Sequence, residues 1–352
     1  MTRETTAKIM VGNVPVGGGA PVSVQSMCNT KTHDAAATLA QMRALKAAGC
    51  DIIRVAVPDM DAAQALPEIM AGAPMPVVAD IHFDYRIALA AAQAGVSAVR
   101  INPGNIGSRD RVAAVAAACS EHGIPIRVGV NSGSVEKTIL QKYGGPVPEA
   151  LVDSAAEELE VLYSLGFSNV ALSVKASDVP ATIRAYRLAA QRFDCPLHVG
   201  VTEAGTAYTG LVASAAGIGS LLCDGIGDTI RVSLTADPVE EVRAGLAIVR
   251  ACGLRKDAVH MVSCPTCGRT GIDLIGLAQK AEQRLAAIRR PITVAVMGCE
   301  VNGPGEAREA DYGMAGGKGF GSLFKKGQVV RTKIPEDQLI DALIELIEQD
   351  SE

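Results

Sequence analysis

The chain has 352 residues, of which 48% are hydrophobic and 20% are charged, so it is long enough for one large core and a second small domain. Its net charge of −5 argues against nucleic acid as the main partner. No apolar run reaches the length of a membrane span and the first residues are polar, which favours a cytoplasmic protein without a membrane partner. The nine cysteines, without a signal peptide, are expected to be reduced thiols.

A small hairpin is predicted first, because residues 8–21 alternate apolar and polar side chains around Gly12-Asn13. After it, short apolar strands alternate with alanine-rich helical patterns. The predicted strands are 22–27, 51–57, 76–81, 98–103, 125–130, 169–175, 196–203 and 228–235. The helical patterns include 35–48, 85–94, 109–122, 152–165, 179–193, 207–223 and 239–252.

An α/β fold with a closed (β/α)8 TIM barrel is the architecture that eight such units indicate. The strands are nearly continuous apolar runs, as expected for parallel strands that are buried on both faces. An open doubly wound sheet is the second possibility, but such sheets rarely keep eight units in strict alternation.

The rest of the chain predicts a small α+β domain. Its elements are a strand at 258–262, a helix at 271–290, a strand at 292–297, a glycine-rich hairpin through Gly327 and an amphipathic helix at 336–348. We therefore expect two domains, residues 1–253 with the hairpin and the barrel, and residues 254–352.

The carboxyl ends of the barrel strands, where barrel enzymes carry their catalytic groups, hold a ring of polar residues. These are Asn29, Arg54, Asp80, His82, Arg100, Asn102, Arg127, Asn131, Ser173, Lys175, Glu203, Arg231 and Ser233. Five of them are cations and two are carboxylates, which leaves an excess of about three positive charges. Guanidinium groups match phosphate oxygens, so the barrel domain is predicted to bind a phosphorylated substrate such as a diphosphate.

Two loops of the second domain predict a metal cluster. Cys264 and Cys267 are separated by a proline and a threonine, and Cys299 follows the next predicted strand. A helix out and a strand back return the chain to the same side, so the three sulfurs are expected to meet. Zinc would need a fourth Cys or His ligand, whereas an iron–sulfur cluster tolerates an oxygen ligand, here Glu300 or Glu306. His260, the nearest histidine, is interpreted as a packed side chain.

The sequence resembles the 4-hydroxy-3-methylbut-2-enyl diphosphate synthase family in five segments that span both domains. In the barrel these are Gln25-Ser26-Met27, Asp80-Ile81-His82-Phe83 and Arg100-Ile101-Asn102-Pro103-Gly104-Asn105. In the second domain they are Cys264-Pro265-Thr266-Cys267-Gly268-Arg269-Thr270 and Met297-Gly298-Cys299-Glu300-Val301-Asn302-Gly303-Pro304-Gly305-Glu306. Cys28 departs from the threonine that we expect at its position.

The resemblance implies a [4Fe-4S] cluster held by Cys264, Cys267, Cys299 and Glu306. It also implies the reductive ring opening and dehydroxylation of 2-C-methyl-D-erythritol 2,4-cyclodiphosphate to 4-hydroxy-3-methylbut-2-enyl diphosphate in the methylerythritol phosphate route to isoprenoids. Two electrons would reach the substrate through the cluster, from a flavodoxin or a ferredoxin. The implied substrate-binding residues are Arg54, Arg100, Arg127, Asn131, Lys175, Arg231 and Ser233, with Asp80, His82 and Asn102 nearby.

Two carboxylates are predicted to be catalytic. Glu306 is one, because a carboxylate binds iron more exchangeably than a thiolate does. Glu203 is predicted to donate a proton to the leaving group, and its alternative role is an ion pair with Arg231.

A homodimer is also predicted. The last barrel helix returns the chain to the end of the barrel opposite the polar ring, so the second domain of one subunit is expected to cap the barrel of the other. Two other functions remain open, a zinc-stabilised barrel lyase or transferase acting on a phosphorylated substrate and a non-catalytic iron–sulfur redox sensor.

Overall fold

The computed structural model describes residues 2–299, 305 and 308–350. The chain forms two compact units, Met1–Arg255 and Lys256–Glu352. No helix in the described ranges is long and apolar enough to cross a membrane.

The first unit begins with the hairpin that the alternating residues predict. Strands β1 (Ile9–Val11) and β2 (Val14–Val16) pair in antiparallel fashion. The apolar face of the hairpin, formed by Ile9, Val11 and Val16, packs in one cluster with Ile52, Val78, Ala98 and Ala171 of the barrel strands. The hairpin therefore closes the barrel at the end where its strands begin.

The barrel follows as parallel strands, which confirms the predicted fold class. They are β3 (Ser23–Met27), β4 (Ile52–Ala56), β5 (Val77–Asp80), β6 (Ala98–Ile101), β7 (Ile126–Asn131), β8 (Val170–Lys175), β9 (His198–Val199) and β10 (Thr229–Ile230). The sheet runs in the order β8-β7-β6-β5-β4-β3-β10-β9, and a parallel bridge between Leu172 and Leu197 joins its two edges. The barrel is thus closed, although β9 and β10 are much shorter than the predicted segments 196–203 and 228–235.

Helices surround the barrel and follow its strands. They are α1 (Ala35–Ala47), α2 (Met60–Gly72), α3 (Tyr85–Gln93), α4 (Pro103–Ile106), α5 (Arg109–Glu121), α6 (Lys137–Tyr143), α7 (Pro148–Ser164), α8 (Val179–Arg192), α9 (Ala207–Cys223) and α10 (Pro238–Ala251). Aspartates accept backbone hydrogen bonds at the starts of several helices, as helix-capping residues do: Asp34, Asp59, Asp84, Asp178 and Asp237. These caps fix where the loops between strand and helix end.

The period of two along each strand positions the polar groups. Ile52, Val78 and Ala98 pack on the hairpin at one end of the barrel interior. Two residues further on, the same face of each strand presents Arg54, Asp80 and Arg100. Charged side chains therefore enter the barrel only near the carboxyl ends of these strands.

The second unit contains the predicted α+β arrangement. Its sheet joins β11 (His260–Ser263), β12 (Thr293–Met297) and β13 (Tyr312–Gly316) in parallel, and then β14 (Phe320–Lys325) and β15 (Gln328–Pro335) in antiparallel fashion. Helices α11 (Leu274–Leu285) and α12 (Leu339–Gln349) pack on it through one apolar core. His260 is exposed on β11, so the interpretation of a packed histidine was wrong.

Candidate active site

An open pocket of about 560 Å³, including the solvent space at its mouth, lies at the carboxyl ends of the barrel strands. We call it the cation pocket. Its lining residues are Arg54, Asp80, His82, Arg100, Arg127, Asn131, Ser173, Lys175, Thr202, Arg231 and Ser233. All the cations that the sequence predicts at this end of the barrel are thus brought together, whereas Asn29, Asn102 and Glu203 do not line the pocket.

Asp80 is the centre of the charge network in the cation pocket. Its carboxylate lies 3.5 Å from Nε of Arg54 and 3.2 Å from Nη1 of Arg100. Nε2 of His82 lies 3.7 Å away. Burial raises the pKa of Asp80, but the guanidinium groups of Arg54 and Arg100 outweigh it and hold the pKa below its ordinary value. Asp80 is therefore a carboxylate that neutralises part of the positive charge.

Arg127 and Lys175 are buried cations with little compensation. Nη1 of Arg127 donates to Oε1 of Gln25 at 2.5 Å, while Nη2 has no hydrogen-bond partner. Burial, together with the neighbouring guanidinium groups, holds the pKa of Arg127 well below its ordinary value. The same two causes hold the pKa of Lys175 well below its ordinary value. Such shifts mark groups that an anion would stabilise in their charged form.

Arg231 is compensated by a carboxylate that the sequence analysis missed. Oε2 of Glu241, on α10, lies 3.8 Å from Nη2 of Arg231, and Nε of Arg231 has no partner. Glu241 is itself held by bonds from Ser26 Oγ and Leu234 N. Glu241 lies in a helix, where the polar pattern of the strand ends does not reveal it. With Asp80 it brings the carboxylates beside the five cations to two, so a clear excess of positive charge remains.

Two glycines make room for the long cations. A Cβ on Gly129 would lie 2.6 Å from Nε of Arg100. A Cβ on Gly200 would lie 2.7 Å from Nζ of Lys175 and 2.5 Å from the carbonyl oxygen of Arg231. Glycine inside a strand pattern commonly marks such a close approach, and this signal was available in the sequence.

Asn102 is buried and does not line the cation pocket. It is 3% exposed, and its Oδ1 accepts from Asn105 N at the start of α4, while its Nδ2 has no partner. Glu158 of α7 lies beside it, and burial raises the pKa of Glu158 to about 8. Oε2 of Glu158 also has no partner. The predicted role of Asn102 in substrate binding stays a prediction.

Glu203 is exposed and accepts a hydrogen bond from Ser177 Oγ at 2.8 Å. Its φ angle of 53° lies in the left-handed region, which non-glycine residues adopt rarely and often at functional sites. In the described structure Arg231 pairs with Glu241 and not with Glu203. The predicted role of Glu203 as a proton donor stays a prediction.

The cysteine loops of the second unit follow two neighbouring strands. β11 and β12 are parallel, with Ser263 opposite Val296, so the loops carrying Cys264 and Cys299 start at the same edge of the sheet. Gly298 N donates to the sulfur of Cys264 at 3.3 Å, and Gly271 N donates to the carbonyl of Gly298 at 3.2 Å. The helix and strand between the loops thus return the chain as predicted.

The donor chemistry of these loops fits a thiolate-bound cluster. Hydrogen bonds from the backbone and side chain of Arg269 lower the pKa of the Cys267 thiol. The amide that donates to Cys264 is the kind of contact that tunes cluster ligands. Within residues 2–299, 305 and 308–350, no three Cys, His, Asp or Glu side chains already converge on one metal position. The predicted oxygen ligand Glu306, like the alternative Glu300, lies outside the described residues.

The barrel with its cation pocket and the appended domain define a TIM-barrel enzyme with a C-terminal α+β domain. Two family models match the chain, the GcpE TIM-barrel domain over residues 6–246 and the GcpE protein C-terminal domain over residues 260–349. The chain belongs to the GcpE family.

Individual proteins with high sequence identity to this chain support its assignment to the family. A protein of Geobacter sulfurreducens named 4-hydroxy-3-methylbut-2-en-1-yl diphosphate synthase (flavodoxin) is 59% identical over 347 residues, which are 99% of this chain and 98% of the relative. A Clostridium perfringens protein of the same name is 56% identical over 348 residues, 99% of each chain. The resemblance found in the motifs is confirmed.

A solved structure shares the barrel fold. It is the N-acetylneuraminic acid synthetase of Leptospira borgpetersenii serovar Hardjo-bovis, with a TM-score of 0.51 and 13% identity. The match covers 71% of this chain and 90% of that one. At this identity the likeness concerns the fold alone.

Proposed function

We propose that the enzyme converts 2-C-methyl-D-erythritol 2,4-cyclodiphosphate to 4-hydroxy-3-methylbut-2-enyl diphosphate by reductive ring opening and loss of a hydroxyl group. The observation that carries the proposal is the cation pocket, in which five cations face two carboxylates. The names of the Geobacter and Clostridium relatives supply the product class.

The charge of the pocket favours a diphosphate ligand. Arg127 and Arg231 each keep a buried N–H donor without a partner, and leaving such donors unpaired costs about 1–3 kcal/mol each. Phosphate oxygens would accept these hydrogen bonds and also offset the repulsion among the cations.

Substrate binding is proposed to involve the polar lining as well. Asn131 and Ser233 lie at the carboxyl ends of their strands and can bond hydroxyl or phosphate oxygens. Asp80 holds Arg54 and Arg100 in position through its two ion pairs, and Nε2 of His82 lies 3.7 Å from the same carboxylate. Asn102 is proposed to contribute indirectly, by holding the loop that follows β6 through its hydrogen bond from Asn105 N.

The reductive part of the proposal needs a redox group. Cys264, Cys267, Cys299 and Glu306 are the residues that would hold a [4Fe-4S] cluster. When bound, the cluster supplies electrons one at a time and Lewis acidity. Glu306 is proposed as the exchangeable ligand, because a carboxylate binds iron less tightly than a thiolate does.

The proton for the departing hydroxyl group is proposed to come from Glu203. The carboxyl group is exposed, and Ser177 orients it through a hydrogen bond of 2.8 Å. Its left-handed backbone supports a constrained position on the loop after β9. Exchange of a proton with solvent would then be direct.

Flavodoxin is the electron donor in the names of the relatives, and we infer the same donor here, with ferredoxin as the alternative. A cytoplasmic location is part of the proposal, since all nine cysteines are free thiols, as in a reducing compartment. We also infer a homodimer in which the cluster domain of one subunit serves the barrel of the other.

The test is anaerobic purification and reconstitution, followed by iron and sulfide analysis, spectroscopy and turnover with reduced flavodoxin. We expect a brown protein that converts the cyclic diphosphate, and whose cluster spectrum changes when this substrate is added. Arg127→Ala should keep the cluster and lose turnover, whereas Cys299→Ser should lose the cluster while the barrel still binds pyrophosphate. A colourless, zinc-containing protein, or a cluster that ignores the substrate, would falsify the proposal.

A further inference from the structure

Two cysteines outside the proposed site lie close together. Cys223 is the last residue of α9, and Cys252 follows the last residue of α10. Their sulfur atoms are 3.9 Å apart. Cys223 is exposed and Cys252 is partly buried, with its sulfur 3.8 Å from the carbonyl oxygen of Gly219.

The pair lies at the end of the barrel where the strands begin. Cys223 ends a helix whose following turn, at Gly225, accepts a hydrogen bond from Arg3 N in the N-terminal segment. The cation pocket lies at the opposite ends of the strands. No residue that lines the pocket belongs to this pair, so its chemistry is separate from the proposed reaction.

We propose that Cys223 and Cys252 form an oxidisable dithiol that closes to a disulfide by exchange with a low-molecular-weight disulfide such as oxidised glutathione. The Cys223 thiolate attacks one glutathione sulfur, which forms a mixed disulfide and releases one glutathione. Cys252 then attacks the Cys223 sulfur, forms the internal disulfide and releases the second glutathione. Two protein thiols are oxidised and one oxidised glutathione is reduced to two thiols, so electrons and protons balance.

The order of the two steps follows from exposure. Cys223 is open to solvent and can meet glutathione, whereas Cys252 is partly covered. Burial and the neighbouring Cys223 thiol raise the pKa of Cys252 to about 11, so little of it is thiolate and it is the poorer first nucleophile of the two. Cys223 is therefore the attacking residue and Cys252 the resolving one.

The geometry requires a small movement. A disulfide bond is about 2.05 Å long, so the sulfurs must approach from 3.9 Å. Cys223 is exposed at the end of its helix, so a rotation about its Cα–Cβ bond is the movement that we expect to close this gap. The other barrel cysteines are unsuitable, since burial raises the pKa of Cys28, Cys50, Cys119 and Cys195 to about 12.

The test is to equilibrate the anaerobic holoprotein in glutathione buffers of increasing oxidised fraction, alkylate the free thiols and digest with trypsin. We expect a disulfide between the peptide of residues 193–231 and the peptide of residues 251–255, which contain Cys223 and Cys252. The disulfide should also raise the unfolding temperature of the barrel, because it restrains the unfolded chain.

Variants distinguish the steps. Cys252→Ser should stop at a glutathione adduct on Cys223, and Cys223→Ser should leave Cys252 unmodified. Cys195→Ser is the matched control, because Cys195 lies in the same tryptic peptide and is buried; this variant should still form the disulfide. Complete alkylation of both thiols in the most oxidising buffer would overturn the proposal, and so would a cross-link that needs Cys195.

Discussion

Gly200 leaves room for the side chain of Lys175 because glycine has no β-carbon. Gly200 directly follows β9, at a point where Lys175 extends its ammonium group towards the backbone. Any β-carbon at this position would meet both that group and the backbone of Arg231. Small residues beside buried cations therefore shape the cation pocket as much as the cations do.

The first prediction follows from this contact. Gly200→Ala is expected to displace the ammonium group and to loosen the pairing of β9 with β10, lowering the free energy of unfolding by about 1–3 kcal/mol. Binding of pyrophosphate, measured by titration calorimetry, should weaken by about tenfold or more. Gly133→Ala is the control, because its added methyl group meets open space and should change neither quantity. Unchanged pyrophosphate binding in Gly200→Ala would show that the contact does not position Lys175.

Glu158 gives the second prediction. Arg100, Asn102 and Glu136 are the charged and polar groups that act on it, and burial raises its pKa from 4.5 to about 8. Because the folded state holds the proton more tightly than the unfolded state does, this residue favours folding most below pH 4.5. As the pH rises from 4.5 to about 8 this contribution is lost, and the free energy of unfolding falls by on the order of a few kcal/mol.

Glu158→Gln is therefore expected to remove this loss. Its free energy of unfolding, measured with urea from about pH 5.5 to about pH 9, should fall less with pH than that of the unmodified chain. Glu157→Gln, at the exposed neighbouring position, should keep the original pH dependence. Parallel curves for Glu158→Gln and the unmodified chain would rule out a protonated carboxyl group at Glu158.

The cations of the pocket could be predicted from the sequence more completely than the carboxylates that pair with them. Cations at strand ends can be recognised in the sequence because each interrupts an apolar run, and because alternate residues of a strand point to the same face. Glu241 was missed because it lies in α10, where a glutamate looks like an ordinary helix residue. Glu203 was expected to help neutralise the cations, but the chain leaves β9 after Val199 and the residue becomes exposed.

At the scale of elements, the barrel could be predicted because each strand is a short apolar run between turns. The helical patterns named from the sequence did not include α2, which contains Pro67, or the short α6. A proline within a helix hides the pattern, and one short helix gives too few turns for a period to be recognised. The lengths of β9 and β10 depend on pairing between distant strands, which local patterns do not contain.

The β1–β2 hairpin allows the third prediction. Ile9 is 5% exposed and packs against the barrel strands, whereas Met10, on the other face of β1, is 45% exposed. Ile9→Ala should lower the free energy of unfolding by about 2–4 kcal/mol, since a buried cavity is created. Met10→Ala should change it by less than about 0.5 kcal/mol in the same urea titration. Equal effects of the two substitutions would contradict a role of the hairpin as packed barrel structure.

At the scale of the whole molecule, the proposed homodimer is tested by mixing two inactive variants. Cys299→Ser would lack the cluster, and Arg127→Ala would lack a working pocket. Equal amounts give about half mixed dimers, and each would have one intact composite site, so about a quarter of the original activity should return. The readout is turnover, with affinity tags to show that mixed dimers have formed. Mixed dimers without turnover would mean that each chain uses its own cluster.

The hairpin beneath the barrel also has a kinetic consequence. Because β1 and β2 cover the end of the barrel where its strands begin, the described residues leave the pocket open at the carboxyl ends of the strands, and the product leaves by the route along which the next substrate arrives. The proposed diphosphate product keeps the phosphate groups that the cations are proposed to bind, so it should dissociate slowly and compete directly with incoming substrate. Product release, more than bond breaking, would then limit the turnover rate of this enzyme.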